Sequence, residues 1–246
     1  MPSDFPPAAG PVLTALARQA IVCALEGRRP PAPDPAGLRV GRGPADGAEL
    51  ESVAALARLL AGPGAAFVTL TQGGDLRGCI GSLEAHRPLG LDVQSNAIDA
   101  AFGDPRFPPL AARELERTAI EVSVLSPPVP LEFADRDDLA RRLRPGVDGL
   151  ILQAAGRRGT FLPQVWEQLP TPELFLSHLV RKAGLPSRYW SDEVRIWRYT
   201  VTAFEEAAAA AAPPLAALAS DTSAGASSAD ESAASSPRDA GRPPGS

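Results

Sequence analysis

The chain has 246 residues, 44% of them hydrophobic and 22% charged, the balance of an ordinary soluble globular protein with room for one large domain or two small ones. With 24 Lys and Arg against 29 Asp and Glu, its formal net charge is -5, so no overall positive field holds phosphate backbones and no nucleic-acid partner is expected. Two cysteines and two histidines are too few for a disulfide framework or for a metal centre built from Cys or His, and neither a metal nor another cofactor is expected. Residues 1–10 have neither a basic start nor an apolar run, so they read as a flexible N-terminus rather than a signal peptide. No run of about 18 consecutive apolar residues suggests a membrane span, and the cytoplasm is the expected compartment.

Helical spacing of Leu13, Leu16, Ala20 and Cys23, and of Ala17, Ile21 and Leu25, predicts a helix over 12–26 that Gly27 ends, with Cys23 as a small core residue. Residues 28–47 are rich in proline and glycine and read as a loop. Leu50, Val53, Leu56, Leu59 and Leu60 predict a second helix over 48–60, stopped by Gly62-Pro63-Gly64. The β-rich runs 66–71 and 75–83 flank Gly73-Gly74, a hairpin signal. A helix from Pro88 to about residue 102 follows, stopped by Gly103. Over 118–125, Ile120, Val122 and Val124 take one face and Glu121 and Ser123 the other, the pattern of a half-buried strand, which Pro127, Pro128 and Pro130 break. A short helix over 137–143 precedes a second hairpin, 147–153 with 159–162, across Ala155-Gly156-Arg157-Arg158. The clustered Arg141, Arg142 and Arg144, preceded by Asp135, Asp137 and Asp138, read as a solvated face. Thr171-Pro172-Glu173 is a helix start, and that helix runs to about residue 183. A last strand is predicted over 193–204. Trp166, Trp190 and Trp197 read as core and subdomain-contact residues.

Helices and antiparallel hairpins are thus intermixed. The fold class is α+β, or mixed α/β, with no regular β-α-β alternation. Residues 207–246 form an Ala/Ser/Pro-rich tail with too little to bury, read as disordered.

The most informative stretch is Leu76-Arg77-Gly78-Cys79-Ile80-Gly81. In an extended segment, Arg77, Cys79 and Gly81 share one face. A cation near a thiol favours the thiolate. Flanking glycines leave the backbone bare for a ligand or another backbone. The same pattern also builds a tight structural crossing.

Seven blocks in order carry a resemblance. They are Phe67-Val68-Thr69-Leu70, the hexapeptide at 76–81, Asn96-Ala97 with Ala100-Ala101-Phe102, Asp104-Pro105-Arg106-Phe107, the strand at 120–126, Phe161-Leu162-Pro163-Gln164-Val165-Trp166 and Lys182-Ala183-Gly184-Leu185. Together they resemble the AMMECR domain family, whose bacterial members are called AmmeMemoRadiSam system protein A, over about 11–206. The resemblance implies two subdomains, each of sheet and helices, with a cleft between them and the hexapeptide as a suspected functional element. It implies partners as well: a Memo-like protein and a radical SAM protein in a shared modification pathway. Members of that family often carry His-Gly where this chain has Asp148-Gly149, so a catalytic histidine there would be missing.

The candidate catalytic residues are Cys79, as a nucleophile, and Glu121, as an acid/base facing Arg77. Arg77, Gly78, Gly81, Asp104 and Arg106 are candidate ligand contacts, for a small molecule or a peptide. For each a structural role stands beside the chemical one: a packed thiol, an Arg77–Glu121 salt bridge, an Asp-Pro turn. His86 reads as a surface residue and His178 as a packed one. Two readings remain. One is an enzyme or substrate-handling subunit with a cleft site around Arg77 and Cys79. The other is a non-catalytic binding or adaptor module.

Overall fold

The computed structural model describes residues 5–6, 8–34 and 47–206. The remaining parts of the flexible-terminus reading, the loop reading over 35–46 and the disorder reading over 207–246 lie outside them. The chain divides into units 1–208 and 209–246, and the described residues all belong to the first.

Among the described residues, five helices form close to where the sequence predicts them: α1 (Ala9–Leu25), α2 (Gly47–Ala61), α3 (Leu89–Phe102), α4 (Arg136–Arg142) and α5 (Pro172–Lys182). Two carry side-chain caps, Thr171 as the sequence predicts and Asp135 where the sequence reads only as a solvated face. The Thr171 hydroxyl accepts from the Leu174 N–H at 3.3 Å, and Asp135 accepts from the Asp138 N–H at 2.7 Å. Two 3₁₀ helices, Ala112–Arg117 and Pro163–Glu167, fall where the sequence shows no apolar period.

The strands are β1 (Pro63–Gln72), β2 (Asp75–Gly81), β3 (Arg87–Pro88), β4 (Thr118–Leu125), β5 (Val129–Pro130), β6 (Gly149–Ala154), β7 (Arg157–Phe161), β8 (Arg195–Tyr199) and β9 (Val201–Glu205). They make two antiparallel sheets. The first runs β2-β1-β4-β9, with β3 added to the start of β1; the second runs β5-β8-β6-β7. The β1–β2 hairpin turns on Gly73 and Gly74, both at positive φ, as expected. The β6–β7 turn is tighter than predicted. Ala155 and Gly156 alone take positive φ, so Arg157 and Arg158 already belong to β7.

The predicted last strand is two strands. It breaks at Thr200, with β8 in the second sheet and β9 in the first. The chain makes the opposite crossing after β4. The two passages are tied together: the Ser126 N–H donates to the Thr200 carbonyl at 2.9 Å, and the Thr200 N–H to Ser126 Oγ at 3.0 Å.

Each sheet buries one face under helices. On the first, Val68, Leu70, Ile120 and Val122 pack under α1 and α3. On the second, Leu150 and Leu152 share a core with Leu139 of α4 and with Phe175, Leu176 and Leu179 of α5. Trp166 stacks on Phe175 with ring centroids 3.9 Å apart. Full burial of each such side chain is worth about 1.5–3 kcal/mol. A third cluster of Ala65, Leu125, Ile151 and Tyr199, with Trp197 against it, joins the sheets. Trp166 and Trp197 thus sit where the sequence reading put them, in a core and at the subdomain contact.

Candidate functional site

The site is the face of the first sheet that the helices leave uncovered. Strand register decides what lies on it. Cys79, Thr69, Glu121 and Glu205 stand opposite one another on β2, β1, β4 and β9, forming one row across the sheet. Gly81, Phe67, Ser123 and Ala203 form the next row. A third row, Ala65, Leu125 and Val201, lies at the contact with the second sheet. The first row therefore holds the thiol and two carboxylates on a half-open surface beside a subdomain contact.

Cys79 is half-buried, and its sulfur accepts from Thr69 Oγ1 at 3.4 Å. Glu121 takes its hydrogen bond from Ser123 Oγ at 2.8 Å. Register places Thr69 between the thiol and Glu121.

The predicted Arg77–Glu121 pairing is not what the structure contains. The register of β1 with β2 slips between Leu70 and Thr71, so Arg77 has no partner across the ladder. Its guanidinium turns to the 3₁₀ helix at 112–117. There Nε donates to Glu114 Oε1 at 3.2 Å, and Nη2 donates to the Pro108 carbonyl at 2.9 Å. The ion pair is largely buried, with side chains 11% and 15% exposed. The Arg77 guanidinium, followed by the Ala111 N–H at 2.8 Å, pulls the Glu114 carboxyl down to about 2. The cation that the hexapeptide offers is thus matched by a carboxylate the sequence reading missed. No signal in the sequence marks it: the residue three before Glu114 is Ala111, which has no capping side chain, and only the structure shows the Glu114 carboxylate reaching back to the Ala111 N–H.

Asp104 and Arg106 sit against the backbone of Cys79. β2 is an edge strand, and its amides alternate in direction. The Ser82 N–H bonds Ala66 O at 3.0 Å, so Ile80 and Gly78 turn their backbone groups toward β1 while Cys79 turns its own outward. The Cys79 N–H donates to Asp104 Oδ2 at 2.9 Å, and its carbonyl accepts from Arg106 Nη2 at 3.2 Å. The buried Asp104 carboxyl is held well below the usual carboxylate range, first by the Arg106 guanidinium. Two residues read as ligand contacts thus cap the sheet edge at the thiol.

The glycines have packing reasons. Gly78 faces away from the row, and a Cβ on it would stand 2.1 Å from the Ala100 carbonyl oxygen of α3. A Cβ on Gly81 would stand 2.2 Å from the Phe67 ring. Gly78 is therefore a helix–sheet contact and no surface for a ligand, while Gly81 keeps room for Phe67.

Asp148, where the resemblance implied a histidine, is fully buried and accepts from the Arg144 N–H at 2.9 Å and Arg144 Nε at 3.0 Å. It closes the turn before β6. A polar pair on α3 also escaped the sequence reading. Asp92 is fully buried and takes hydrogen bonds from the Ala66 N–H (2.9 Å), Ser82 Oγ (2.8 Å), Arg87 Nε (2.9 Å) and Asn96 Nδ2 (2.9 Å). Its signal was an Asp and an Asn four apart on the helix face that also carries Val93 and Ala97. His86 is exposed and His178 half-buried.

Among the described residues, no group of three or more His, Cys, Asp or Glu is placed to hold a metal ion. No described helix is long and apolar enough to cross a membrane.

A sequence profile of the AMMECR1 family matches residues 14–204. The chain is 44% identical over 146 residues to a protein of Methanothermobacter thermautotrophicus, covering 57% of this chain and 74% of that one. It is 42% identical over 142 residues to a protein of Thermotoga maritima, with 57% and 76% covered. The crystal structure of an uncharacterized protein, PH0010 from Pyrococcus horikoshii, superposes with a TM-score of 0.62 at 32% identity, covering 80% of this chain and 91% of that one.

Proposed function

Because the chain belongs to the AMMECR1 family, we propose that it is the substrate-handling member of a modification pathway and holds a small molecule or peptide over the open face of its first sheet. The family resemblance supplies the other members: a Memo-like protein and a radical SAM protein, acting together in the cytoplasm. The observation that carries the reading is the row of Cys79, Thr69 and Glu121. A half-exposed thiol is presented beside a hydroxyl, with its strand edge clamped by Asp104 and Arg106. Clamping the backbone fixes the sulfur in place, the condition for presenting a reactive atom to a substrate. The hydroxyl of Thr69 positions the thiol, and Glu121 supplies the carboxylate that a basic or hydroxyl-bearing ligand meets.

A second reading, a binding or adaptor module with no chemistry of its own, is favoured by one observation: the charge of Arg77 is satisfied by Glu114 and that of Arg106 by Asp104. Co-expression with the two partners, followed by mass spectrometry of the purified complex, separates the readings. A ligand or covalent adduct retained by the natural chain and lost on Cys79→Ala and on Glu121→Gln, with unchanged melting temperature, supports the substrate-handling role. Partner capture that survives both substitutions, with no ligand or adduct at any stage, leaves the adaptor.

A further inference from the structure

The two edges of the first sheet are treated differently. At β2 the outward amide and carbonyl of Cys79 are capped by side chains. At β9 the Glu206 N–H donates to the Ile120 carbonyl at 2.9 Å. By antiparallel alternation Phe204 and Thr202 then turn their backbone groups to β4, and Val201, Ala203 and Glu205 turn theirs outward. Among the described residues, no side chain or backbone group outside the sheet bonds the outward groups of these three. Such a row is a template for another strand.

Two further observations say what would lie there. Beside the edge is a hollow of about 450 Å³ whose lining includes Val201, Ala203, Pro163 and Trp166, with Gln164 and Glu167 as its polar members. It faces the row that holds Ala203. One position along, Glu205 is exposed, has no polar partner among the described residues, and stands directly across from Glu121. Like charges opposite each other on neighbouring strands destabilise the pair, and a cation relieves them.

We propose that the β9 edge is a docking site for an extended segment of a partner protein, which adds as a further strand of the first sheet. Its residue opposite Ala203 is apolar and enters the hollow, and its residue opposite Glu205 is Lys or Arg. Backbone pairing supplies the affinity, and the alternate side chains supply the selectivity. The site lies across the sheet from Cys79 and does not depend on the thiol.

The test uses the full chain and a fluorescein-labelled peptide, Ac-Lys-Thr-Leu-Thr-Val-NH2, read by fluorescence anisotropy. Ala203→Pro removes an outward N–H and leaves the β4 ladder intact, because proline is tolerated on an edge strand where its nitrogen faces away. Saturable binding that weakens at least about tenfold in Ala203→Pro and in Glu205→Lys is the expected result. Circular dichroism establishes that the variants fold; if Ala203→Pro does not, Glu205→Lys carries the test, its side chain being exposed. No saturable binding by the natural chain, or binding indifferent to Glu205→Lys, overturns the proposal. A natural chain that sediments as a dimer, and as a monomer on Glu205→Lys, assigns the edge to a second copy and overturns it also.

Discussion

Arg77 and Glu114 form an ion pair at 3.2 Å, with only 11% and 15% of their side chains exposed, so the one cation of the hexapeptide points into the protein. That relationship ties Arg77 to the scaffold through Nε and Nη2, while its Nη1 is buried without a hydrogen-bond partner among the described residues.

The pair is expected to be structural. Removing one partner of a buried ion pair leaves an uncompensated charge and costs about 3 kcal/mol or more. Arg77→Ala and Glu114→Ala should each lose about that much in denaturant unfolding. The double variant should lose clearly less than their sum, and simple additivity would show that the two groups do not act as a unit.

The same carboxylate sets a pH dependence. Glu114 titrates at about 2 in the folded chain against an ordinary value of 4.5. A lowered folded value means that its stabilisation is complete above about 4.5 and is lost as pH falls toward about 2. Between those limits Glu114→Gln should show a flatter loss of melting temperature than the natural chain. Parallel curves would place the acid sensitivity elsewhere.

The two thiols should differ in access. Cys79 is half-buried on the open face, whereas Cys23 is 3% exposed inside the first core. Iodoacetamide on the folded protein should label Cys79 and spare Cys23, and both should react after unfolding. Peptide mapping that finds equal labelling in the folded state would contradict the placement of Cys79 on an accessible face.

Asp104 should act through the Cys79 backbone. Asp104→Ala removes the acceptor of the Cys79 N–H and a partner of Arg106, at a cost of about 1–3 kcal/mol. Hydrogen exchange at the Cys79 amide should accelerate strongly, while Asp104→Asn, which keeps an acceptor oxygen, should retain part of the protection.

Gly78→Ala is expected to be among the most damaging small substitutions in the chain. The added methyl would stand 2.1 Å from the Ala100 carbonyl oxygen, backbone that moves only if α3 shifts from the sheet. A loss of about 3 kcal/mol is expected in thermal or denaturant unfolding, with Gly73→Ala, whose neighbourhood is open, serving as the control for strain at a turn.

The elements were legible where a single period governs them. The α1 helix and the β4 strand announce their buried faces by spacing, α5 announces itself by the Thr171-Pro172-Glu173 start and the first hairpin by Gly73-Gly74, whereas on α3 the apolar Leu91 is exposed. The break at Thr200 was not legible, because β8 and β9 are both β-rich and adjacent, and only the pairing partners differ. Nor was the turn of Arg77 toward Glu114, which depends on a slip in register and on a helix without an apolar period. Alternation puts Glu121 on the non-core face of its strand, but for Cys79 it leaves an open thiol and one packed under a helix as alternatives, and register with Thr69 and Glu121 decides between them. Asp104 and Arg106 were picked out for their chemistry, yet their contacts are with the thiol's own backbone. Sequence identifies groups that make strong interactions; it does not say whether the protein or a ligand supplies the other half.

The side-by-side passages at Ser126 and Thr200 have a consequence for how the two sheets depend on each other. Everything between them leaves and re-enters the first sheet between two strands that are antiparallel neighbours, β4 and β9. Its entry and exit lie a hydrogen bond apart, so a two-residue turn joining Leu125 to Val201 would close the first sheet as an ordinary hairpin. Removing the second sheet with α4 and α5 would then leave the first sheet's strand order unbroken, while uncovering Ala65, Phe67, Leu125 and Val201 and breaking the Glu84–Arg158 ion pair.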